Sequence, residues 1–295
     1  RKESQVVYAM DFGEPALHAG IDKFVNQDDD HTAAFASVLT NRVCEEPDGP
    51  IRGRLLDLLC FYCLRLKANT DRSIEYFFKT MLQYDVPEAL RPHSRTKHRL
   101  KKIVSGPNVL CEWLTALLSP SHMFRGEDVF TYAVQPEQNT GSDLMFAFPT
   151  KQGPVLTSFA CAFYGTTGDD VVPSNKVEDQ EKKVQCVRKA PQRDDEWSKC
   201  SKRIQQLLPG QGKGKQGGEQ AARLLYEVDV LVELPRRAGS EVPDGCSTQC
   251  FVTIDQQNAR SFFGDVMGAY FKQETKKRLS PENQHKKPRA AKRAR

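Results

Sequence analysis

The chain has 295 residues, 39% of them hydrophobic, with 43 Lys and Arg against 38 Asp and Glu for a formal net charge of +5. That length and apolar content suffice for a substantial core, as one large domain or two small ones, and exclude a disordered chain over most of the length. No run approaches the roughly 18 apolar residues that a membrane helix needs, so no membrane partner is expected, and the start at Arg1-Lys2-Glu3, with neither a methionine nor a charged-then-apolar leader, reads as a piece of a longer protein.

Residues 1–50 are polar and mixed, and Gln27-Asp28-Asp29-Asp30-His31 reads as a loop or helix cap rather than a metal site. Helices are predicted at about 51–68 and 73–84 from apolar periodicity. The first contains Cys60-Phe61-Tyr62-Cys63, but its apolar spacing is that of a buried helix, whereas zinc knuckles sit on turns. No second CxxC follows at finger distance; Cys246 and Cys250 lie in a polar loop, and Cys186 and Cys200 stand 14 apart in a charged region. The nine cysteines therefore read as reduced thiols. A cationic stretch follows: Arg91, Arg95, Lys97, Arg99, Lys101 and Lys102, with His93 and His98 among them and no acid until Glu112. Phosphate contacts need such a cluster; a solvated helix face is the other reading. The two histidines are five apart, which does not share a helical face, so they are not expected to be a ligand pair.

Next comes a predicted helix from Ser105 to Leu118, with Ser105 as its cap, Pro107 near its first turn and Glu112 along it. Asp143-Leu-Met-Phe-Ala-Phe148 reads as a strand, Pro149 to Pro154 as a turn, and the stretch through Phe159-Ala-Cys-Ala-Phe-Tyr164 as the strand that pairs back. Strand alternation sends Phe159, Cys161 and Phe163 to a core and Ser158, Ala160, Ala162 and Tyr164 to the opposite face, where a cleft is expected. Alanine packs little against strand neighbours, so two at alternate positions between aromatics is an odd choice there. Asp143, shortly after Gly141, is also open to the plain reading of a turn residue.

The C-terminal half opens with Thr166-Thr-Gly-Asp-Asp170 and a charged stretch from Lys176 to Arg193, then a predicted helix from Asp194 to Leu208. The loop Pro209 to Gly218 carries lysines among glycines but no GK[ST] ending and no preceding apolar strand, which makes it a poor phosphate loop. Leu224 to Leu234 reads as a central strand, nearly continuous in apolar and β-branched types. Cys250 to Ile254 reads as another strand, and a helix from Ala259 to Lys272 brings Phe262, Phe263 and Phe271 onto one broad apolar face. The predicted fold class is α/β, a mixed β-sheet flanked by helices. Its predicted divisions are a helical N-terminal region over 1–104, a core over 105–272 and a basic tail over 273–295.

The tail holds most of the positive charge. From Lys276 to Arg295 nine Lys or Arg face the single Glu282, a local balance of +8 that leaves the first 275 residues at −3. Lys276, Lys277 and Arg278, a spacer, then Lys286, Lys287, Arg289, Lys292, Arg293 and Arg295 resemble a bipartite nuclear localisation signal, laid as a cationic peptide in the groove of a nuclear import receptor. A nonspecific nucleic-acid-binding tail is the alternative. Both point toward nucleic acid.

Asp143 at the head of one strand and the Ala160-x-Ala162 pair on the next resemble the PD-(D/E)xK, or restriction-endonuclease-like, superfamily. There an aspartate opens the second core strand and a Glu-x-Lys lies on the third. Paired carboxylates bind Mg²⁺ beside the phosphate, and the lysine orients or activates the attacking water. The resemblance maps Asp143 to the aspartate, Ala160 to the glutamate, Ala162 to the lysine, and Glu112 to a glutamate on the preceding helix. Closer still, a Gly-initiated helix bearing Glu, a short strand, Gly-x-Asp, a hairpin and a strand ending in an aromatic resemble the nuclease-like C-terminal domains of Crinkler effectors and the related retrotransposon hot spot proteins. This likeness spans roughly 70 to 260 and is specific only over 105–165. It implies a restriction-endonuclease-like core in which Glu112 and Asp143 hold Mg²⁺ in the active parent. It also implies a secreted effector that reaches a host nucleus and acts on DNA there, and it leaves a homodimer open. Arg95, Lys97, Arg99, Lys101 and Lys102 would line the mouth of the cleft. Alanine at both catalytic positions beside an intact Asp143 implies an inactive form, by deliberate double substitution of a Phe-Glu-Cys-Lys-Phe-Tyr motif or by natural decay. A non-catalytic nuclear module binding DNA or a protein is the alternative.

Overall fold

The computed structural model of the chain describes residue 23 and residues 28–46, 48–66, 73–106, 108–136, 142–163, 224–234, 250–265 and 267–271. In chain order the strands are β1 (Lys102–Ser105), β2 (Met123–Phe124), β3 (Glu127–Asp128), β4 (Tyr132–Gln135), β5 (Leu144–Phe148), β6 (Val155–Phe163), β7 (Tyr226–Leu234) and β8 (Cys250–Ile254). Strands β2 and β3 form a small hairpin of their own; the other six make one sheet in the order β1-β4-β5-β6-β7-β8. Pairs β1/β4, β6/β7 and β7/β8 are parallel, while β4/β5 and β5/β6 are antiparallel. The fold is α/β, with a mixed, mostly parallel sheet between helices. A strand covered on both faces carries few exposed side chains, and all nine residues of β6 are buried.

The β5–β6 hairpin turns where proline and glycine allow it. Gly153 adopts φ +137°, a left-handed-side value that costs little without a Cβ. Its N–H reaches the Thr150 carbonyl at 3.3 Å, and the Thr150 hydroxyl donates to the Gly153 carbonyl at 2.5 Å.

One face of the sheet is covered by α1 (Asp29–Glu45), α2 (Gly49–Leu66), α3 (Ile74–Tyr76) with the π-helical turn Phe77–Leu82 that continues it, and α5 (Ala259–Phe263). Their apolar residues join Phe146, Phe148, Phe159 and Phe163 in one core. Phe77 lies 5.9 Å from Phe146, 5.4 Å from Phe148 and 6.5 Å from Phe159, ring centre to ring centre, and Phe159 lies 5.8 Å from Phe262. The other face takes α4 (Val109–Leu117), whose Val109, Leu110, Trp113, Leu114 and Leu117 pack on Met145, Ala147 and Leu156. Trp113 is fully buried, and its ring N–H donates to the Val129 carbonyl at 3.2 Å.

Several local expectations change in detail. Helix α1 is an addition: Thr32, Ala36, Leu39 and Val43 recur at threes and fours on its buried side, and Asp28 caps it by accepting the His31 N–H at 2.8 Å. In the cationic stretch Arg91 and His93 lie in a 3-10 helix (Glu88–His93) and Arg95 in the turn that follows, while residues 96–101 run extended into β1 because their backbone is taken up elsewhere. The Thr96 and Ser94 carbonyls accept the Ile74 and Glu75 amides at the start of α3, at 3.1 and 2.9 Å, and Ser73 bridges Lys97. Ser105 therefore ends a strand, and Asn108, at φ +64°, stands at the N-cap of α4 instead. Finally, the predicted helix from Ala259 is broken at Gly264, whose φ of +92° closes α5, and helical backbone resumes over 267–271. The predicted helix 194–208, the loop 209–218 and the basic tail lie outside the described residues.

Candidate functional site

Strand β6 is the hub, since each of its faces carries a different set of side chains. Antiparallel pairing sets Met145 opposite Ser158 and Ala147 opposite Leu156; parallel pairing sets Leu156, Ser158, Ala160 and Ala162 beside Glu227, Asp229, Leu231 and Glu233. Ala160 and Ala162 thus share one face, as alternation predicts. Among the described residues both are buried and open onto no groove. Ala160 is 1% and Ala162 7% exposed, and Ala160 packs on Leu231 with Phe251 against it. The small Ala160 side chain leaves room for Leu231 and Phe251 to close over it, while Ala162 pairs with Glu233.

The same face carries an acidic row that the sequence reading passed over. Glu227, Asp229 and Glu233 are buried on β7, and the Ser158 hydroxyl donates to Asp229 Oδ1 at 2.5 Å. The signal was present: in Tyr226-Glu-Val-Asp-Val-Leu-Val-Glu-Leu234 the acids fall on alternate positions, which places them on one face.

Asp143 belongs to the opposite side. Its N–H donates to the Phe159 carbonyl at 2.7 Å, and its Oδ2 accepts the Cys161 N–H at 2.7 Å. Cys161 projects into the core beneath α2, where its Sγ lies 3.7 Å from Cys60 Sγ. Asp57, one turn before Cys60 on α2, completes the group: one ligand atom each from Asp57, Asp143 and Cys161 lie within 4.8 Å of one another. Gln135 Nε2 donates to Asp57 Oδ2 at 3.4 Å. Among the described residues this is the one group of three or more His, Cys, Asp or Glu close enough to hold an ion. The hydrogen bond to Cys60, then burial, push the Cys161 thiol well above its ordinary value; burial pushes Cys60 up as well. Without a metal both stay protonated at neutral pH, so neither is a ready nucleophile.

Glu112 does not join Asp143. The apolar stripe of α4 faces the sheet, and Glu112 falls off that stripe: it is 55% exposed, with Arg125 at 3.8 Å, in an open groove of about 690 Å³ between α4 and β2. The expected convergence of Glu112 and Asp143 on Ala160 and Ala162 is therefore corrected. The two acids lie in different layers, one outside α4 and one against the α2 side of the sheet. Asp57, Cys60 and Cys161, which the sequence reading assigned to no site, are neighbours of Asp143 among the described residues.

The cationic stretch forms a row. Arg95, Lys97, Arg99 and Lys101 are exposed, while the residues between them turn inward: His98 stacks at 5.3 Å on Phe146 and lies 5.0 Å from Phe148, and Leu100 is buried. None of the four cations pairs with an acid among the described residues. Lys102 differs, since it bonds Glu127 at 2.5 Å and lies 5.8 Å over the Tyr132 ring. His93 Nε2 meets Gln152 Oε1 at 3.2 Å, so the two histidines have separate surroundings.

Cys44, Cys60, Cys63, Cys161 and Cys250 are free thiols, while Cys111 on α4 is disulfide-bonded, against the expectation of reduced thiols throughout. The CxxC of α2 is, as predicted, part of a buried helix, and Cys63 stands apart from the Asp57, Asp143 and Cys161 group. No helix of the described residues is long and apolar enough to cross a membrane. No family model matches the chain, and neither does any curated protein or solved structure.

Proposed function

We propose that the chain is a non-catalytic nucleic-acid-binding module on a restriction-endonuclease-like frame. The observation that carries this reading is the exposed row Arg95, Lys97, Arg99 and Lys101. In an extended chain alternate residues stand about 6.6 Å apart on one side, so Lys97, Arg99 and Lys101, with Arg95 in the turn just before them, present a run of cations to a phosphate backbone, which such contacts hold by releasing counterions.

The order of elements supports the frame. A helix bearing Glu112, the short strand β4, Asp143 and the β5–β6 hairpin follow the order of elements in the family resemblance. The absence of cutting chemistry follows from Ala160 and Ala162: neither methyl group binds Mg²⁺ or activates water, and both are buried. The basic tail from Lys276 to Arg295 fits nuclear import and adds to the affinity for DNA. On this reading the protein works in a nucleus, a host's if it is a secreted effector.

The test has two arms. Gel-shift titration of the full chain against duplex and single-stranded DNA at several salt concentrations is expected to show binding that weakens as salt rises. Replacing Arg95, Lys97, Arg99 and Lys101 with alanine should lower the slope of log affinity against log salt by about 3–4; an unchanged slope sinks the assignment. In the second arm Ala160→Glu with Ala162→Lys is assayed for plasmid cleavage with and without Mg²⁺. Cleavage by that variant alone, lost again with Asp143→Ala, would restore the endonuclease reading for the parent; cleavage by the unaltered chain refutes the non-catalytic one.

A further inference from the structure

We infer that Asp57, Cys60, Asp143 and Cys161 form a tetrahedral zinc site that ties helix α2 to strand β6 and to the head of strand β5. The inference stands apart from the nucleic-acid reading and needs neither the cationic row nor the two alanine positions.

The sulfur geometry is the first argument. With zinc–sulfur bonds of about 2.3 Å in a tetrahedron, two thiolates on one ion stand about 3.8 Å apart. Cys60 Sγ and Cys161 Sγ are 3.7 Å apart although 101 residues separate them in sequence. The carboxylates complete the set. Oxygens bound at about 2.0–2.2 Å lie about 3.4 Å from one another and about 3.5 Å from a bound sulfur. The ligand atoms of Asp57, Asp143 and Cys161 all lie within 4.8 Å of one another; Cys60 Sγ stands outside that group, 3.7 Å from Cys161 Sγ, and completes the set once its side chain turns toward the carboxylates.

The donors choose the metal. Magnesium and calcium take six or more oxygens, whereas two thiolates with two carboxylates on a buried wall suit zinc. The surroundings are those of a structural site. Asp57 and Cys60, three apart on α2, face β6 together. The Cys161 N–H fixes Asp143 through Oδ2, and Gln135 holds Asp57, the outer-shell bonds that orient ligands. Asp57, Cys60 and Cys161 are buried, the two cysteines in the main core beside Phe159 and Phe163, and Asp143 is half-buried at the head of β5. Ligands from α2 and the β5–β6 hairpin would then hold the helical layer to the sheet.

The experiment loads the reduced full chain with zinc, removes unbound metal by gel filtration and measures metal content. Cobalt replaces zinc in parallel. About one zinc per chain is expected, together with a thiolate-to-cobalt charge-transfer band and the intense visible bands of tetrahedral cobalt. Cys161→Ser and Cys60→Ser should each weaken zinc binding by more than about tenfold and lose intensity in that band, while Cys63→Ser leaves both unchanged. Substoichiometric zinc, a cobalt spectrum of octahedral type, or a band indifferent to Cys60 and Cys161 would leave a hydrogen-bonded thiol pair and overturn the site. The spectrum of the unaltered chain decides even where a variant fails to fold. No nucleic acid enters the assay, so its failure and that of the proposed function are told apart.

Discussion

Two faces of one strand, a single residue out of step, do different things. On the α2 side of β6, Phe159 and Phe163 meet aromatic rings from the helical layer, and Cys161 meets the Cys60 thiol and the carboxylates of Asp57 and Asp143. On the other side Ser158, Ala160 and Ala162 meet a row of β7 acids with Leu231 between them. The first face is built on volume and soft donors, the second on small side chains that let buried carboxylates lie close. Family logic looked for chemistry on the second face. The clustering of ligand atoms lies on the first.

Substitutions on adjacent residues sharpen that contrast. Phe159→Ala removes a ring packed among Phe77, Phe146 and Phe262 and is expected to cost about 3–5 kcal/mol in chemical denaturation. Ser158→Ala, one residue back, removes the hydroxyl that donates to Asp229 and is expected to cost about 1.5–3 kcal/mol. If Ser158→Ala proved as costly as Phe159→Ala, the acidic face would carry as much of the stability as the aromatic one, and the contrast would fail. The smallest effect lies outside both faces. The His31 backbone N–H, then its ring, hold the exposed Asp28 carboxyl below the ordinary aspartate range. A depressed folded pKa means that the cap's contribution to α1 is complete above the unfolded value and lost as pH falls through the folded one. Asp28→Ala should remove that acid-side loss and leave metal content unchanged, as read by an NMR titration of α1 amides; an identical titration in the variant would show that the cap does not supply it.

Much of the sheet was legible because strand signals are local. The stretch Cys250–Ile254 is a strand over the predicted residues, and the Pro149–Pro154 turn joins β5 to β6 as expected. Alternation correctly separated Phe159, Cys161 and Phe163 from Ala160 and Ala162. Other errors were local signals overlooked or misjudged: the three-four spacing of α1, the alternate acids of β7, and a positive-φ glycine at position 264 that ends a helix with a long apolar face. The cationic stretch has no apolar period strong enough to decide between helix and ribbon, and its hydrogen bonds to the head of α3 settled it.

The sequence by itself determined which side chains share a face, because backbone geometry repeats every two residues in a strand and every 3.6 in a helix. Only the tertiary structure decided that Asp143 turns toward Cys161 and away from Ala160, that Glu112 stays on the outer side of α4, and that Asp57 and Cys60 arrive from about a hundred residues away to meet Cys161. Those outcomes depend on how helical layers dock on a sheet. Docking is governed by the fit of whole apolar surfaces, which no short window of residues encodes.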